Sequence, residues 1–166
     1  MATRAYTLLE LIIVITILGI AAALVVPNMK STGVLRVQAA VRLIVADITE
    51  AQTDALAYQS GRALVFHPDE GRYTVVEIRG TTIDEALDTV RETRLAGNDF
   101  GDSKIVSADF SGTPTLIFDE MGAPVTTPGG NTPAPSGVIT VQGSEQEFTI
   151  TVEAYTGRIT VKRTAG

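Results

Sequence analysis

The sequence contains no cysteine and no tryptophan, and its single histidine is His67. Without cysteine the chain can form neither disulfides nor thiolate metal sites. One histidine without such partners does not make a typical zinc site, so the sequence predicts no metal centre. Aromatic residues make up only 5% of the chain, which argues against a large aromatic platform for a ligand.

Sequence signatures of catalysis are also missing. No Gly-x-Ser-x-Gly, phosphate-binding loop or dinucleotide fingerprint occurs. The sequence therefore predicts a protein that is not an enzyme and that uses no cofactor. The net charge of −6 and the pI of about 4.7 argue against broad nucleic-acid binding, which usually leaves a basic footprint.

A long apolar segment stands near the start of the chain, at residues 6–26, with the sequence YTLLELIIVITILGIAAALVV. As a helix this segment would be roughly 30 Å long, which matches the hydrocarbon core of a bilayer. It contains one carboxylate, Glu10. A charged side chain at membrane depth costs on the order of 3 kcal/mol, so its presence predicts that Glu10 has a function and a cationic partner.

The residues alone leave three interpretations of this segment open. A cleaved secretory signal would use the small residues 21–23 as its cleavage site, but Arg4 is its whole basic region. A plain signal anchor would leave Glu10 without a partner. In the third interpretation, a cut between Ala5 and Tyr6 creates a new α-amine. At about 4 Å in a neighbouring chain, that amine would attract the Glu10 carboxylate by roughly 4 kcal/mol.

Residues 5–10, AYTLLE, resemble the class III signal of type IV pilins and type II secretion pseudopilins. In that family a membrane peptidase cuts before the first mature residue and N-methylates it. The resemblance implies cleavage between Ala5 and Tyr6, N-methylation of Tyr6, and an assembly salt bridge from Glu10 to the amine of a neighbouring subunit. Ala5 stands where the family usually has glycine, and Tyr6 where it usually has phenylalanine.

Beyond the apolar segment the sequence predicts that the helix continues. Pro27 removes a backbone hydrogen bond and predicts a kink, and Gly19 and Pro27 both fall where the resembled family commonly has glycine and proline. Apolar residues then recur at alternating spacings of three and four before Gly61, which is typical of an amphipathic helix. This stripe consists of Val34, Val37, Val41, Ile44, Ile48, Ala51, Ala55 and Tyr58, and Arg36, Arg42, Asp47, Glu50 and Asp54 lie off it.

From residue 62 onward the apolar pattern changes to a period of two, which predicts strands. The predicted strands are 63–66, 73–78, 89–95, 104–110, 115–118, 138–141, 147–152 and 158–161, with turns at 68–71, 143–145 and 155–157. The expected fold class is α+β. A long N-terminal helix, transmembrane in its first half and amphipathic in its second, packs on an antiparallel sheet or small sandwich. The lollipop shape of pilins is what the resemblance implies.

Residues 116–122 and 157–161, together with the order of elements, resemble the GspH/FimT pseudopilins. The resulting division is a leader peptide at 1–5, a transmembrane helix at 6–29, an amphipathic stem at 30–60 and a periplasmic β-rich domain at 61–166. The Pro/Gly-rich stretch 126–137 is predicted to be a flexible loop.

The resemblance implies a structural minor pseudopilin that assembles through its N-terminal helix into a type II secretion pseudopilus for protein export. Its implied partners are other pseudopilins or pilins, the prepilin peptidase/methyltransferase and the inner membrane. The chain would cross that membrane once, with its C-terminal domain in the periplasm. Counted on both sides of the segment, Lys and Arg slightly favour the opposite orientation, so the resemblance alone places the domain outside.

The C-terminus carries the one basic cluster of this acidic chain, Arg158, Lys162 and Arg163. Three such charges could give weak, salt-dependent contact with phosphates. Some members of the resembled family bind DNA through a basic C-terminal region. The alternative function is therefore a FimT-like minor type IV pilin that binds DNA for uptake, and the simpler interpretation is an exposed closing strand.

Overall fold

One long helix, α1 (Leu8–Tyr58), precedes all strands in the computed structural model of the protein. The structure describes residues 7–95, 97 and 99–165, with side chains placed for all of these except 23–32 and 165. The positions of Pro27 and Gly33 fall inside α1, so neither residue ends the helix. The chain divides into two compact units, Met1–Thr32 and Gly33–Gly166, and α1 contributes to both. The kink at Gly19 and Pro27 stays a prediction.

Two antiparallel sheets follow the helix. Their strands are β1 (Arg62–His67), β2 (Arg72–Glu77), β3 (Thr89–Arg94), β4 (Lys104–Asp109), β5 (Thr115–Phe118), β6 (Pro124–Val125), β7 (Gly137–Gly143), β8 (Gln146–Val152) and β9 (Ile159–Ala165). The first sheet has the order β3-β2-β1-β5-β6, and the second has the order β4-β7-β8-β9. The predicted α+β class is confirmed, and every predicted strand overlaps an observed one.

The hairpin turns have the backbone conformations that their sequences favour. A 3₁₀ turn at Pro68–Glu70 joins β1 to β2, and Gly71 after it has a φ of +61°, which glycine adopts without a steric penalty. Ser144 and Glu145 connect β7 to β8 and both have positive φ, as in a two-residue hairpin turn. These turns fix the pairing registers and hence the face on which each side chain lies.

The main hydrophobic core joins the stripe of α1 to the inner faces of both sheets. Its helical members are Val37, Ala40, Val41, Ile44, Ile48, Ala51 and Ala55. The first sheet contributes Leu64, Phe66, Tyr73, Val75, Leu116 and Phe118, and the second contributes Ile105, Ile139, Val141, Phe148, Ile150 and Val152. Burial thus confirms most of the predicted stripe. Tyr58 is an exception, because its side chain is 69% exposed, and the guanidinium of Arg62 lies over its ring.

A smaller apolar cluster lies on the other face of the first sheet and consists of Ala63, Ile78, Ile117 and Val125, with Ile83 packed against it. The stretch predicted as a flexible loop begins beside this cluster. Its backbone is tied by hydrogen bonds from Thr126 to Thr132 and from Ala134 to Pro124, and β7 already begins at its last position, Gly137. The flexibility of residues 126–136 stays a prediction.

The side chain of Gln52 on α1 donates hydrogen bonds to two separate turns. Its Nε2 donates to the carbonyl of Gly122 at 2.8 Å and to the carbonyl of Thr156 at 3.0 Å. One turn follows β5 and the other precedes β9, so a single amide links the helix to both sheets. This role of Gln52 could not be predicted from the sequence, since a polar residue beside an apolar stripe has no pattern of its own.

Candidate functional site

The start of α1 is organised by Thr7. Its Oγ1 accepts a hydrogen bond from the backbone N–H of Glu10 at 3.2 Å, and its carbonyl accepts one from Leu11. Thr7 is therefore the N-cap of the helix, and Glu10 is the third helical residue. The pattern Thr-x-x-Glu at residues 7–10 is that of a capping box. A carboxylate in the first turn also interacts favourably with the positive end of the helix dipole.

Apolar side chains surround Glu10 on all sides of the helix. The large aliphatic residues placed in this stretch are Leu8, Leu9, Leu11, Ile12, Ile13, Val14, Ile15, Ile17, Leu18 and Ile20, and each is between 47% and 77% exposed. The hydroxyl of Thr16 is satisfied within the helix by the carbonyl of Ile12 at 2.7 Å. Among residues 7–22, whose side chains are placed, Glu10 is the one charged residue, and it stands on an exposed apolar surface. Such a surface indicates an interaction site.

Some residues of the predicted N-terminal site lie outside the described part of the chain. Ala5 and Tyr6, the predicted cleavage and methylation positions, are among them, and the side chain of Pro27 is not placed. Gly19 lies in the exposed stretch, where an added Cβ would meet open space. In the part of the chain that the structure describes, no helical stretch is long and apolar enough to cross a membrane.

Asp47 is buried, although the apolar pattern placed it off the stripe. Its carboxylate is 2% exposed and accepts hydrogen bonds from the Tyr73 hydroxyl at 2.6 Å, from Arg91 at 3.2 Å and from Thr93 at 3.3 Å. Burial, followed by donation to Asp47, raises the pKa of Tyr73 far above its usual range. Arg91 also contacts Glu50 at 2.7 Å. This buried polar network joins α1 to β2 and β3.

His67 lies at the end of β1 in a cluster of charged and polar groups on the outer face of the first sheet. Its Nε2 is 2.8 Å from Oε2 of Glu85, and the same oxygen accepts the hydroxyl of Thr74 at 2.7 Å. Burial raises the pKa of Glu85, but the hydrogen bonds from Thr74 and His67 and the charges of His67 and Arg72 lower it, so the net shift of this pKa is downward. Among the described residues, no group of three His, Asp or Glu side chains could hold a metal ion.

Asp102 ties the segment before β4 to the β7–β8 turn. Its carboxylate accepts the backbone N–H of Ser144 at 2.8 Å and the Ser144 hydroxyl at 3.1 Å. The backbone bond, then the hydroxyl bond, and to a smaller extent the charge of Arg36 lower the pKa of Asp102. Because the folded-state pKa lies below the unfolded one, this carboxylate stabilises the fold above its unfolded pKa.

This shift predicts a pH dependence for the Asp102→Asn variant. Wild type should exceed the variant in free energy of unfolding at neutral pH, and the difference should disappear as the pH falls through the lowered folded-state pKa. Urea unfolding between about pH 2 and pH 7 measures it, since the unfolded pKa is about 3.9. Asp99→Asn, an exposed acid of the same segment, is the control. A difference that grows at low pH would contradict the assignment.

The basic residues of the C-terminus do not form one surface. Lys162 and Arg163 are both exposed but adjacent on β9, and neighbouring strand residues point to opposite faces of a sheet. Arg163 pairs with the core residue Phe148, which places it on the helix side, and Lys162 pairs with Thr149 on the outer side. Arg158 is exposed and precedes β9. A flat phosphate backbone would meet Lys162 and Arg163 from different directions.

Comparisons with known proteins agree on this fold. The sequence model of the family described as type II transport protein GspH matches residues 40–163. Two crystal structures of the type IV minor pilin FimU from Pseudomonas aeruginosa strain PAO1 are similar. One has a TM-score of 0.55 at 13% identity and covers 78% of this chain and 92% of the other. The second has a TM-score of 0.53 at 14% identity, with coverage of 78% and 96%. No curated protein matches the sequence significantly.

Proposed function

The chain belongs to the GspH family of type II transport proteins, and on that premise we propose that it is a structural minor pseudopilin of a type II secretion pseudopilus. It assembles through the N-terminal part of α1, after cleavage between Ala5 and Tyr6 and methylation of Tyr6. Its partners in this role are other pilin-like subunits, the prepilin peptidase and the inner membrane. The domain after the stem lies in the periplasm.

The uncovered apolar stretch of α1 with its single carboxylate carries this proposal. Side chains that are about half exposed or more on every side of a helix require either lipid or other apolar helices around them. Glu10 is costly in either surrounding unless a cation approaches it. A new amine at Tyr6 of a neighbouring subunit is such a cation, and it offsets the cost only in the assembled state. The acid then fixes the register between helices.

N-terminal sequencing and mass determination of the chain isolated from its own cells test the proposal. The expected mature terminus is an N-methylated Tyr6. A terminus at or beyond Ala23 would instead indicate an ordinary secretory signal and would remove the apolar stretch altogether. Replacing Ala5 by glycine, the usual residue of the resembled family, is the control, and it should leave the cleavage position unchanged.

DNA capture through Arg158, Lys162 and Arg163 stays the alternative prediction. The split of Lys162 and Arg163 between two faces reduces the number of phosphates that they can contact together. The net charge of −6 opposes DNA binding further. We therefore favour the assembly role.

A further inference from the structure

The last strand, β9, forms one edge of the second sheet among the described strands. The N–H of Glu153 donates to the carbonyl of Arg158 at 2.9 Å, just before β9 begins. In an antiparallel ladder, hydrogen-bonded and non-hydrogen-bonded pairs alternate. By this alternation Thr160 and Lys162 bond to β8, and the backbone N–H and C=O of Val161 point away from the sheet. Those groups are in position to pair with another strand.

An apolar groove lies directly beside this edge, between β9 and α1. It has a volume of about 410 Å³ and is lined by Gln38, Val41, Arg42, Val45 and Ala46 of the helix and by Phe148 and Val161 of the sheet. Val161 pairs with the buried Ile150, so its side chain lies on the helix side of the sheet, and it remains 42% exposed. At Val161 the outward-facing backbone and the uncovered apolar surface are therefore contiguous.

We propose that this edge and groove bind an extended segment of a partner protein, which adds as a strand beside β9. The backbone of the added strand pairs with the outward groups of β9, and alternate apolar side chains enter the groove. This inference uses residues of the unit Gly33–Gly166 alone and does not depend on the assembly role of α1.

Charge selects the chemistry of the partner segment. On the outer face of the sheet β9 presents the exposed Lys162, in a chain whose net charge is −6. The side chains between the apolar positions of an added strand point to this outer face, so Lys162 favours carboxylates at those positions. A second copy is a poorer occupant, because pairing of two β9 strands around Val161 puts both Lys162 side chains on the same face of the sheet, and like charges across strands are destabilising.

The test measures binding of a fluorescein-labelled peptide, acetyl-Glu-Val-Thr-Val-Glu-Val-Thr-amide, to the full chain in lipid nanodiscs by fluorescence anisotropy. Val161→Pro removes the outward N–H without removing a bond to β8, as proline is tolerated on an edge strand. We expect it to weaken binding at least about tenfold. Thr160→Ala is the matched control on the opposite face and should bind like wild type.

Two further variants separate the groove and the charge from the strand edge. Ala46→Trp fills the groove from an exposed helix position, so it leaves the fold intact and should weaken binding about tenfold. Lys162→Glu, on the outer face towards which the Glu side chains of the peptide point, should weaken binding of the acidic peptide about threefold and strengthen binding of a peptide with Lys in place of Glu by a similar factor.

Four results would overturn the inference. The first is that no peptide binding is detected at a peptide concentration of about 1 mM, which would mean that the affinity is negligible. The second is that the Val161→Pro variant folds and still binds the peptide like wild type. A dimer in sedimentation that Val161→Pro dissociates would assign the edge to a second copy. An oligodeoxynucleotide that displaces the peptide and depends on Lys162 more than on Val161 would assign it to DNA.

Discussion

Replacing Glu10 by alanine is expected to abolish incorporation into the filament while leaving insertion into the membrane unchanged. Alanine makes the apolar stretch more hydrophobic, so anchoring should not weaken. Assembly loses the attraction between the carboxylate and the amine of a neighbouring Tyr6, which amounts to roughly 4 kcal/mol at an effective dielectric near 20. A photo-crosslinking amino acid at the exposed position Ile13 would report adducts with other pilin-like subunits, and membrane fractionation would report insertion.

The structure supplies two controls for this experiment. Thr16→Val removes another polar group from the same stretch, but one whose hydroxyl is already satisfied by the carbonyl of Ile12, so assembly should persist. Thr7→Ala removes the N-cap, which costs about 1 kcal/mol of helix stability, and leaves the charge of Glu10 in place. If Thr7→Ala assembles as poorly as Glu10→Ala, the role of the Glu10 carboxylate is to stabilise the first turn of the helix and not to form an intersubunit pair. Normal assembly of Glu10→Ala would end the pairing hypothesis.

The Asp47→Ala variant should lose about 3 kcal/mol of stability. The substitution leaves the buried hydroxyl of Tyr73 without its 2.6 Å acceptor and deprives Arg91 and Thr93 of a shared partner. Tyr73 is fully buried, so its hydroxyl loses the acceptor that the fold supplies. Chemical unfolding at neutral pH, followed by circular dichroism, measures the change.

Glu50→Ala is the matched control for Asp47→Ala. Both acids lie on α1 and both contact Arg91, but the Glu50 side chain is 51% exposed, so its loss should cost no more than about 1 kcal/mol. The double variant Asp47→Ala with Tyr73→Phe should be more stable than the sum of the single losses predicts, because both partners of the buried hydrogen bond are then absent. Strict additivity would show that the bond between Asp47 and Tyr73 contributes little.

The periodic parts of the fold could be predicted from the sequence. The alternation of apolar and polar residues located the strands, and the glycine at position 71 marked the first hairpin turn. The stripe from Val37 to Ala55 identified the buried face of the helix, because burial of that face is what the pattern records. The short strand β6 was missed, since a two-residue strand that begins with proline has no alternation to detect.

The polar contacts at the core could not be predicted in the same way. Asp47 and Gln52 act through partners 26 to 104 positions away in the sequence, and one sequence without relatives does not indicate such pairs. Tyr58 continues the apolar spacing, but it lies at the end of α1, where its largely exposed ring lies against the buried Arg62 guanidinium. Thr7 is a different case, because the capping pattern that it forms with Glu10 can be recognised in the sequence itself.

The continuity of α1 has a mechanical consequence. The same helix that exposes aliphatic residues near its start inserts Val37, Ile44 and Ile48 into the core further along. Within the unit Gly33–Gly166, tension applied to the helix therefore acts directly on the hydrophobic core. To extract the helix, a load must shear its side chains out of both sheets together and break the Asp47 and Gln52 contacts at the same time. We expect this part of the helix to resist pulling along its axis until the whole core unfolds.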